Sequence, residues 1–324
     1  MKIVFTRKLP DPLIERVKDD YEIVMWEKEE EPMPRERLLK EVEDADALFV
    51  TVSDQIDEEL IESAPKLKVI STMAVGYDNI DIAAATKRGI PVGHTPGVLT
   101  EAVADFTFAL LMATARRITE GEKVIRQNQW KSWGPFMLTG QSVYGATIGI
   151  IGMGRIGEAV ARRAKGFNMN ILYHNRTRKP EAEAELGATY CSLEELLRQS
   201  DFVVLLAPAT PETYHMIGKE QFDMMKESCV FINTSRGTNV DERALYEALK
   251  NKKIFAAGLD VFEKEPITSD HPLLELDNVI CQPHIGSATI ATRMKMANVA
   301  IDNIIRGLNG QPLLHTVNED VYRK

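Results

Sequence analysis

The feature that most constrains the fold is an alternation running through nearly the whole chain. Short runs rich in β-branched and other apolar residues, at 3–5, 22–26, 47–52 and 67–72, are separated by stretches with helical apolar spacing. The pattern resumes further on, with runs at 146–152, 169–174, 201–207, 229–235, 254–261 and 278–282. Strands that alternate with helices return parallel to one another, so the expected class is α/β, with mostly parallel sheets flanked by helices. A chain of 324 residues has room for two such domains.

Between the two sets lies a different texture. After the breaker cluster Thr95-Pro96-Gly97, an apolar-periodic stretch interrupted by Gly121 predicts one long helix over 100–128. Residues 129–145 lose that period and carry Trp130 and Trp133, which predicts a loop. Ser192 and Glu195 stand at capping-box spacing and open a further helix, and a final helix over 288–308 closes at Gly310.

Charge and cysteine content narrow the class of function. Lys and Arg number 39 against 48 Asp and Glu, a net charge of -9 that argues against nucleic acid or an anionic membrane surface as partner. No apolar run approaches the roughly 18 residues of a bilayer span. Cys191, Cys229 and Cys281 are odd in number and form no CxxC pair, so neither a disulfide framework nor a metal site is expected. The expectation is a reduced, cytoplasmic protein.

At the end of the 146–152 run stands Gly152-Met-Gly154-Arg155-Ile156-Gly157, followed at once by a helical pattern. The first glycine permits the tight turn, the second lets a pyrophosphate approach the backbone, and the third allows close helix-strand packing. Placed between strand and helix, this is a dinucleotide fingerprint. At the end of the next strand an NAD-binding chain usually carries an acidic residue for the ribose hydroxyls. Here the sequence reads Asn175-Arg176-Thr177-Arg178-Lys179. A neutral residue followed by cations and a hydroxyl favours a 2′-phosphate, so NADPH is the preferred cofactor, with NADH still usable. Arg176 is the favoured phosphate ligand; Arg178 and Lys179 read as loop charges exposed to solvent.

Downstream, Asn233-Thr-Ser-Arg236-Gly237, the segment from Gly258 to Pro266 containing Asp260 and Glu265, and Gln282-Pro-His284-Ile-Gly286-Ser resemble the D-isomer-specific 2-hydroxyacid dehydrogenase family in order and spacing. The resemblance extends to Ala74-Val75-Gly76-Tyr-Asp-Asn-Ile-Asp81 and Thr100-Glu-Ala-Val-Ala-Asp105. Within that family, 129–135 and 284–289 look most like the glyoxylate/hydroxypyruvate reductases. The resemblance implies NAD(P)H-dependent reduction of a small 2-oxo acid, glyoxylate or hydroxypyruvate, to the D-2-hydroxy acid.

Elementary chemistry agrees with the roles it implies. His284 suits the proton donor, because imidazole titrates near neutrality. Glu265 suits a partner for the imidazolium, and the planar fork of Arg236 suits the substrate carboxylate. The family further implies Val52, Val75, Gly76 and Trp133 at the substrate. Beyond the fingerprint and 175–177, it places Ala207, Pro208, Thr213, Thr234, Ser235, Asp260 and Gly286 at the cofactor. It also implies two Rossmann-like domains with an interdomain active-site cleft. The substrate-binding domain would be discontinuous, 1–97 and 289–324, around a dinucleotide-binding domain at 98–288. Two alternatives stay open: a D-2-hydroxyacid dehydrogenase of other substrate range, and a dinucleotide-sensing scaffold like the corepressors that resemble this family.

A homodimer is also expected. The apolar stretch from Phe106 to Met112 looks richer than one domain would leave exposed, and the loop adds Trp130, Trp133, Phe136, Met137 and Leu138. The competing expectation is that these loop side chains plug their own subunit's core. The resemblance favours a dimer built from this helix and loop, 100–145, with Trp133 at the partner's substrate pocket.

Overall fold

Every ladder between the strands named below is parallel, which is what strand-helix alternation requires. The computed structural model describes residues 1–323; residue 324, the end of the range expected for the substrate-binding domain, lies outside them. The chain divides into two units: Met1–Leu99 together with the chain from Thr289 onward, and Thr100–Ala288.

The first unit begins β1 (Lys2–Phe5), α1 (Asp11–Ile14), β2 (Glu22–Met25), α2 (Arg35–Val42), β3 (Ala47–Val50), α3 (Glu58–Glu62), β4 (Val69–Thr72), α4 (Ile82–Lys87) and β5 (Val92–Gly93). Its sheet has the order β2-β1-β3-β4-β5. The two-residue strand β5 is too short to leave an apolar run in the sequence. Asp57 and Asp81 cap α3 and α4 by accepting the N–H groups of Leu60 and Ala84.

The second unit holds α5 (Thr100–Ala115), α6 (Ile118–Arg126), β6 (Thr147–Ile151), α7 (Arg155–Gly166), β7 (Asn170–His174), α8 (Pro180–Leu186), β8 (Thr189–Tyr190), α9 (Leu193–Gln199), β9 (Phe202–Leu205), α10 (Lys219–Met224), β10 (Val230–Asn233), α11 (Glu242–Lys250), β11 (Ala256–Leu259) and β12 (Val279–Cys281). The order β12-β11-β10-β9-β6-β7-β8 reverses direction between β6 and β9. Alternate residues feed two cores. Ile148, Ile150, Phe202, Val204, Val230 and Ile232 face one, while Ile151, Val203, Leu205 and Phe231 face the other. Burial on both faces explains why these strands read as continuous apolar runs. The Ser192–Glu195 capping box forms as its spacing predicts.

The single helix expected over 100–128 is instead two. Arg117 sits in the left-handed region at φ 54 and pairs with Glu120 at 2.6 Å. The N–H of Gln141 takes the carbonyl of Ala115 at 2.9 Å, so a distant stretch of chain ends α5. The apolar surplus of α5 is also accounted for within its own unit: Val103, Ala104, Phe108, Leu110 and Leu111 are buried, and Phe106 and Met112 pack against the first of the two cores. This helix therefore gives no argument for a partner.

The chain then re-enters the first unit with α12 (Ile290–Leu308). Ala297, Ala300, Ile301 and Ile304 pack on Ile3, Phe5, Phe49 and Val69, covering one sheet face. Among the described residues no helix is long and apolar enough to cross a membrane. The three cysteines are unpaired.

Candidate active site

The turn between β6 and α7 is made by Gly152, Met153 and Gly154 alone. Gly152 has φ +102, and a Cβ there would lie 2.7 Å from the carbonyl carbon of Leu206 and 2.8 Å from the nitrogen of Ala207. Only glycine can pass so close to the end of β9, at the point where the strand order reverses. A Cβ on Gly157 would likewise press on the Gly152 carbonyl oxygen at 2.4 Å. Gly154 differs, because a Cβ on it would meet nothing within 4 Å and no side chain caps α7. Open space above uncapped N–H groups at a helix start is the cradle a pyrophosphate needs, so this turn fits a dinucleotide. Arg155 is exposed at its mouth, while Ile156 packs against the core.

After β7, Asn175 closes its own turn, its Nδ2 donating to the Thr177 carbonyl at 2.8 Å. Arg178 grips Glu183 with two bonds of 2.7 and 2.8 Å, and the Tyr173 hydroxyl joins them at 2.7 Å. The Arg178 and Tyr173 hydrogen bonds bring the Glu183 carboxyl down to about 2. Arg178 is thus a structural cation rather than a loop charge left to solvent. Arg176 and Thr177 stand exposed.

Several hydroxyls assigned to the cofactor are engaged inside the chain. Thr213 Oγ1 donates to the Pro208 carbonyl at 2.7 Å, and the Ala207 carbonyl receives Asn239 Nδ2 at 2.8 Å. Thr234 Oγ1 lies 2.8 Å from Thr107 Oγ1 of α5. Asn233 organises the next turn: its Oδ1 accepts both the N–H and the hydroxyl of Ser235, and its Nδ2 donates to the Arg236 carbonyl at 2.9 Å.

Arg236, Glu265 and His284 follow β10, β11 and β12, three adjacent strands. His284 Nδ1 lies 2.7 Å from Glu265 Oε2, and Glu265 Oε1 accepts the Phe262 N–H at 3.0 Å. Burial pushes the Glu265 carboxyl up, but the hydrogen bond and charge of His284, the Phe262 N–H and the charge of Arg236 outweigh it and hold it below the usual carboxylate range. His284 itself has φ 56, a left-handed conformation costly for a side chain with a Cβ. The turn is held from beyond by Asp260, whose two oxygens accept the N–H groups of Ile285 and Gly286, each at 2.8 Å. Burial nevertheless pushes the Asp260 carboxyl up to about 6, against those two N–H groups. A Cβ on Gly237 would stand 1.8 Å from the Phe262 carbonyl carbon, so the Arg236 turn lies directly on the segment leading to Glu265.

Residues 108–286 match the family model described as "D-isomer specific 2-hydroxyacid dehydrogenase, NAD binding domain". The chain belongs to the D-isomer-specific 2-hydroxyacid dehydrogenases. It is 50% identical to a glyoxylate reductase of Korarchaeum cryptofilum over 99% of this chain and 97% of that one. A solved protein from Thermus thermophilus superposes with a TM-score of 0.92 at 45% identity, covering 98% of this chain and all of that one. An NADPH-dependent glyoxylate/hydroxypyruvate reductase from Sinorhizobium meliloti, solved with NADP and malonate, gives a TM-score of 0.86 at 34% identity, covering all of this chain and 98% of that one. The protein is accordingly an oxidoreductase that uses a nicotinamide dinucleotide to interconvert a 2-oxo acid and a 2-hydroxy acid.

In this dehydrogenase Val52, Val75 and Gly76 lie in the first unit, at the carboxyl ends of β3 and β4. Val52 is exposed, and the Val75 carbonyl lies 3.0 Å from His94 Nδ1. Trp133 and Phe136 are 77% and 83% exposed, so they do not plug the core of their own chain. The contacts of Asn233 and Gly237 leave no mark in the sequence beyond an amide two residues before Ser235 and a glycine directly after Arg236, and neither specifies its partners. Among the described residues no group of three or more His, Cys, Asp or Glu side chains is placed to hold a metal.

Proposed function

We propose that the enzyme reduces glyoxylate, and hydroxypyruvate beside it, to the D-2-hydroxy acid with NADPH as preferred donor. The observation that carries this reading is the 2.7 Å contact of His284 with Glu265 at the same sheet edge as Arg236. A reduced dinucleotide held by its pyrophosphate at the glycine turn would supply the hydride. Glu265 holds Nδ1 of His284 and faces it with a negative charge, so Nε2 is the nitrogen that gives a proton to the carbonyl oxygen. Arg236 pairs the substrate carboxylate through its planar fork, and Val52, Val75 and Gly76 are assigned to the remainder of the 2-oxo acid. Asp260, Thr234, Ser235 and Gly286 shape the cofactor's nicotinamide end, while Arg176 and Thr177 take the 2′-phosphate. The names of the relatives, glyoxylate and glyoxylate/hydroxypyruvate reductases, support the choice of substrate.

A homodimer belongs to the same reading. Its support is α6 and the loop after it, where Ile118, Ile125, Trp130, Trp133, Phe136 and Met137, six large apolar side chains within twenty residues of chain, are all exposed. Trp133 is assigned to the partner's substrate pocket. Initial rates for glyoxylate, hydroxypyruvate and pyruvate with NADPH and with NADH test the reading. Glyoxylate with NADPH should lead, and equal efficiency with both cofactors, or preference for pyruvate, would remove it. A monomeric mass at micromolar concentration would remove the dimer.

A further inference from the structure

The first unit carries a buried ion pair beneath an exposed tip. Arg7 and Asp54 are only 6% and 4% exposed, and Arg7 NH1 donates to Asp54 Oδ1 at 2.9 Å. The other carboxylate oxygen accepts three donors: the Thr6 hydroxyl at 2.5 Å, the Thr51 N–H at 2.7 Å and the Thr51 hydroxyl at 2.9 Å. Arg7 completes the clasp by donating to the Thr6 carbonyl and the Ser53 hydroxyl, both at 2.7 Å. The tip itself, Val52 and Ser53, is exposed. A buried ion pair stabilises a fold little compared with apolar side chains of the same volume, but it fixes geometry, because all its partners must be in place together.

The clasp reaches the second substrate loop as well. Asn79 Nδ2 donates to the carbonyls of Thr51 and Asp54 at 3.0 and 2.6 Å. Ile56 N–H takes the Asn79 carbonyl and Asp81 N–H takes that of Ile56, at 2.9 and 2.8 Å. The turn that the Asp54 carboxylate closes at Thr51 thus also anchors Asn79, three residues beyond Gly76, so the tip at Val52 and the loop that follows Val75 and Gly76 share one set of hydrogen bonds.

We propose that Asp54, through its pair with Arg7, is a positioning residue for the 2-oxo acid: it fixes Val52 against the Val75–Gly76 loop and so sets which 2-oxo acids fit. This rests on the assignment of those three residues to the substrate. The experiment compares the parent, Asp54→Asn, the apolar double variant Arg7→Met with Asp54→Leu, and Arg236→Lys. The readouts are KM and kcat for glyoxylate and hydroxypyruvate, NADPH affinity and melting temperature. Asp54→Asn and the double variant should each raise KM roughly tenfold, with kcat and cofactor affinity nearly unchanged, because they disturb only groups assigned to binding the substrate, while Arg236, Glu265, His284 and the glycine turn belong to the other unit. The ratio of the two substrates' kcat/KM should move with it. A further variant, Arg7→Lys, keeps the charge beside Asp54 and should hold KM close to the parent's. A purely structural role would lower the melting temperature and the active fraction at constant KM, and that result overturns the proposal. Should Asp54→Asn fail to fold, an unchanged KM in the double variant overturns it equally. If KM rises in Arg236→Lys but not in the Asp54 variants, the proposal falls and the substrate site stands. If the parent reduces no 2-oxo acid, the site assignment falls and takes the proposal with it.

Discussion

The carboxyl ends of β10, β11 and β12 and the carboxyl end of β7 belong to one sheet, yet they hold the side chains assigned to catalysis and to the cofactor in opposite ways. At the first edge, His284 is met by Glu265, Glu265 by the Phe262 N–H, and the turn after His284 by Asp260, while the Arg236 turn rests on Phe262 through Gly237. At the second edge the turn is closed by Asn175 itself, and the one firmly gripped cation, Arg178, is committed to Glu183. The difference fits the tasks proposed for the two places. Proton and hydride transfer lose about 10²-fold when groups are misplaced by about 1 Å, whereas the exposed Arg176 and Thr177 could meet a 2′-phosphate through charge-assisted hydrogen bonds.

Removing the reacting group should have the largest effect. His284→Ala is expected to lower kcat/KM by about 10²- to 10⁴-fold while NADPH affinity, measured by fluorescence, stays near the parent's. Joint loss of both would mean that the two edges are not separable. Next come two glycines with opposite surroundings. A Cβ on Gly237 stands 1.8 Å from a backbone carbon, whereas one on Gly154 meets nothing within 4 Å. Gly237→Ala should lose roughly 10²-fold in kcat and melt earlier, whereas Gly154→Ala should fold normally and weaken cofactor binding. Comparable activity in the two variants would show that the catalytic edge does not need its close approach.

A smaller change is expected at the second edge. Asn175→Asp with Arg176→Ser should swing the NADPH to NADH efficiency ratio by about 10- to 100-fold, the effect of losing one charge-assisted contact and adding a repulsion. Arg178→Ser should leave that ratio unmoved, and a shift there would contradict the separation of the two cations. The smallest effect concerns pH. Asp260 is raised from 3.8 to about 6 in the fold, so its contribution to stability is complete below its unfolded value and is lost as pH rises through about 6. Asp260→Asn does not titrate. The difference in Tm between variant and parent should therefore move a few degrees in the variant's favour between about pH 4 and pH 7. A difference that stays constant with pH would show that Asp260 is not raised.

What could be read in the sequence was whatever depends on local order. Strand runs, the glycine turn and the capping box at Ser192 are fixed by neighbours in the chain, and the three motifs at the ends of β10, β11 and β12 carry their residues in sequence order. What could not be read depends on segments far apart. The helix break at Arg117 needs Gln141 to arrive at the Ala115 carbonyl, and the coverage of α5 needs α7 and the sheet to pack on it. The two-residue strands β5 and β8 exist because neighbouring strands pair with them. Likewise, Gly237 looks like any glycine after a turn until the backbone of Phe262 is placed beside it.

We propose that His284 and Glu265 act as one unit in 2-oxo acid reduction. It is tested most directly by a double-mutant cycle on kcat/KM for glyoxylate, using His284→Ala, Glu265→Gln and the two together. If Glu265 works only through the imidazole, the double variant should be no slower than His284→Ala alone. Losses that multiply, with the double variant slower than His284→Ala by the full factor seen for Glu265→Gln, would show that the carboxylate acts independently and would contradict the account.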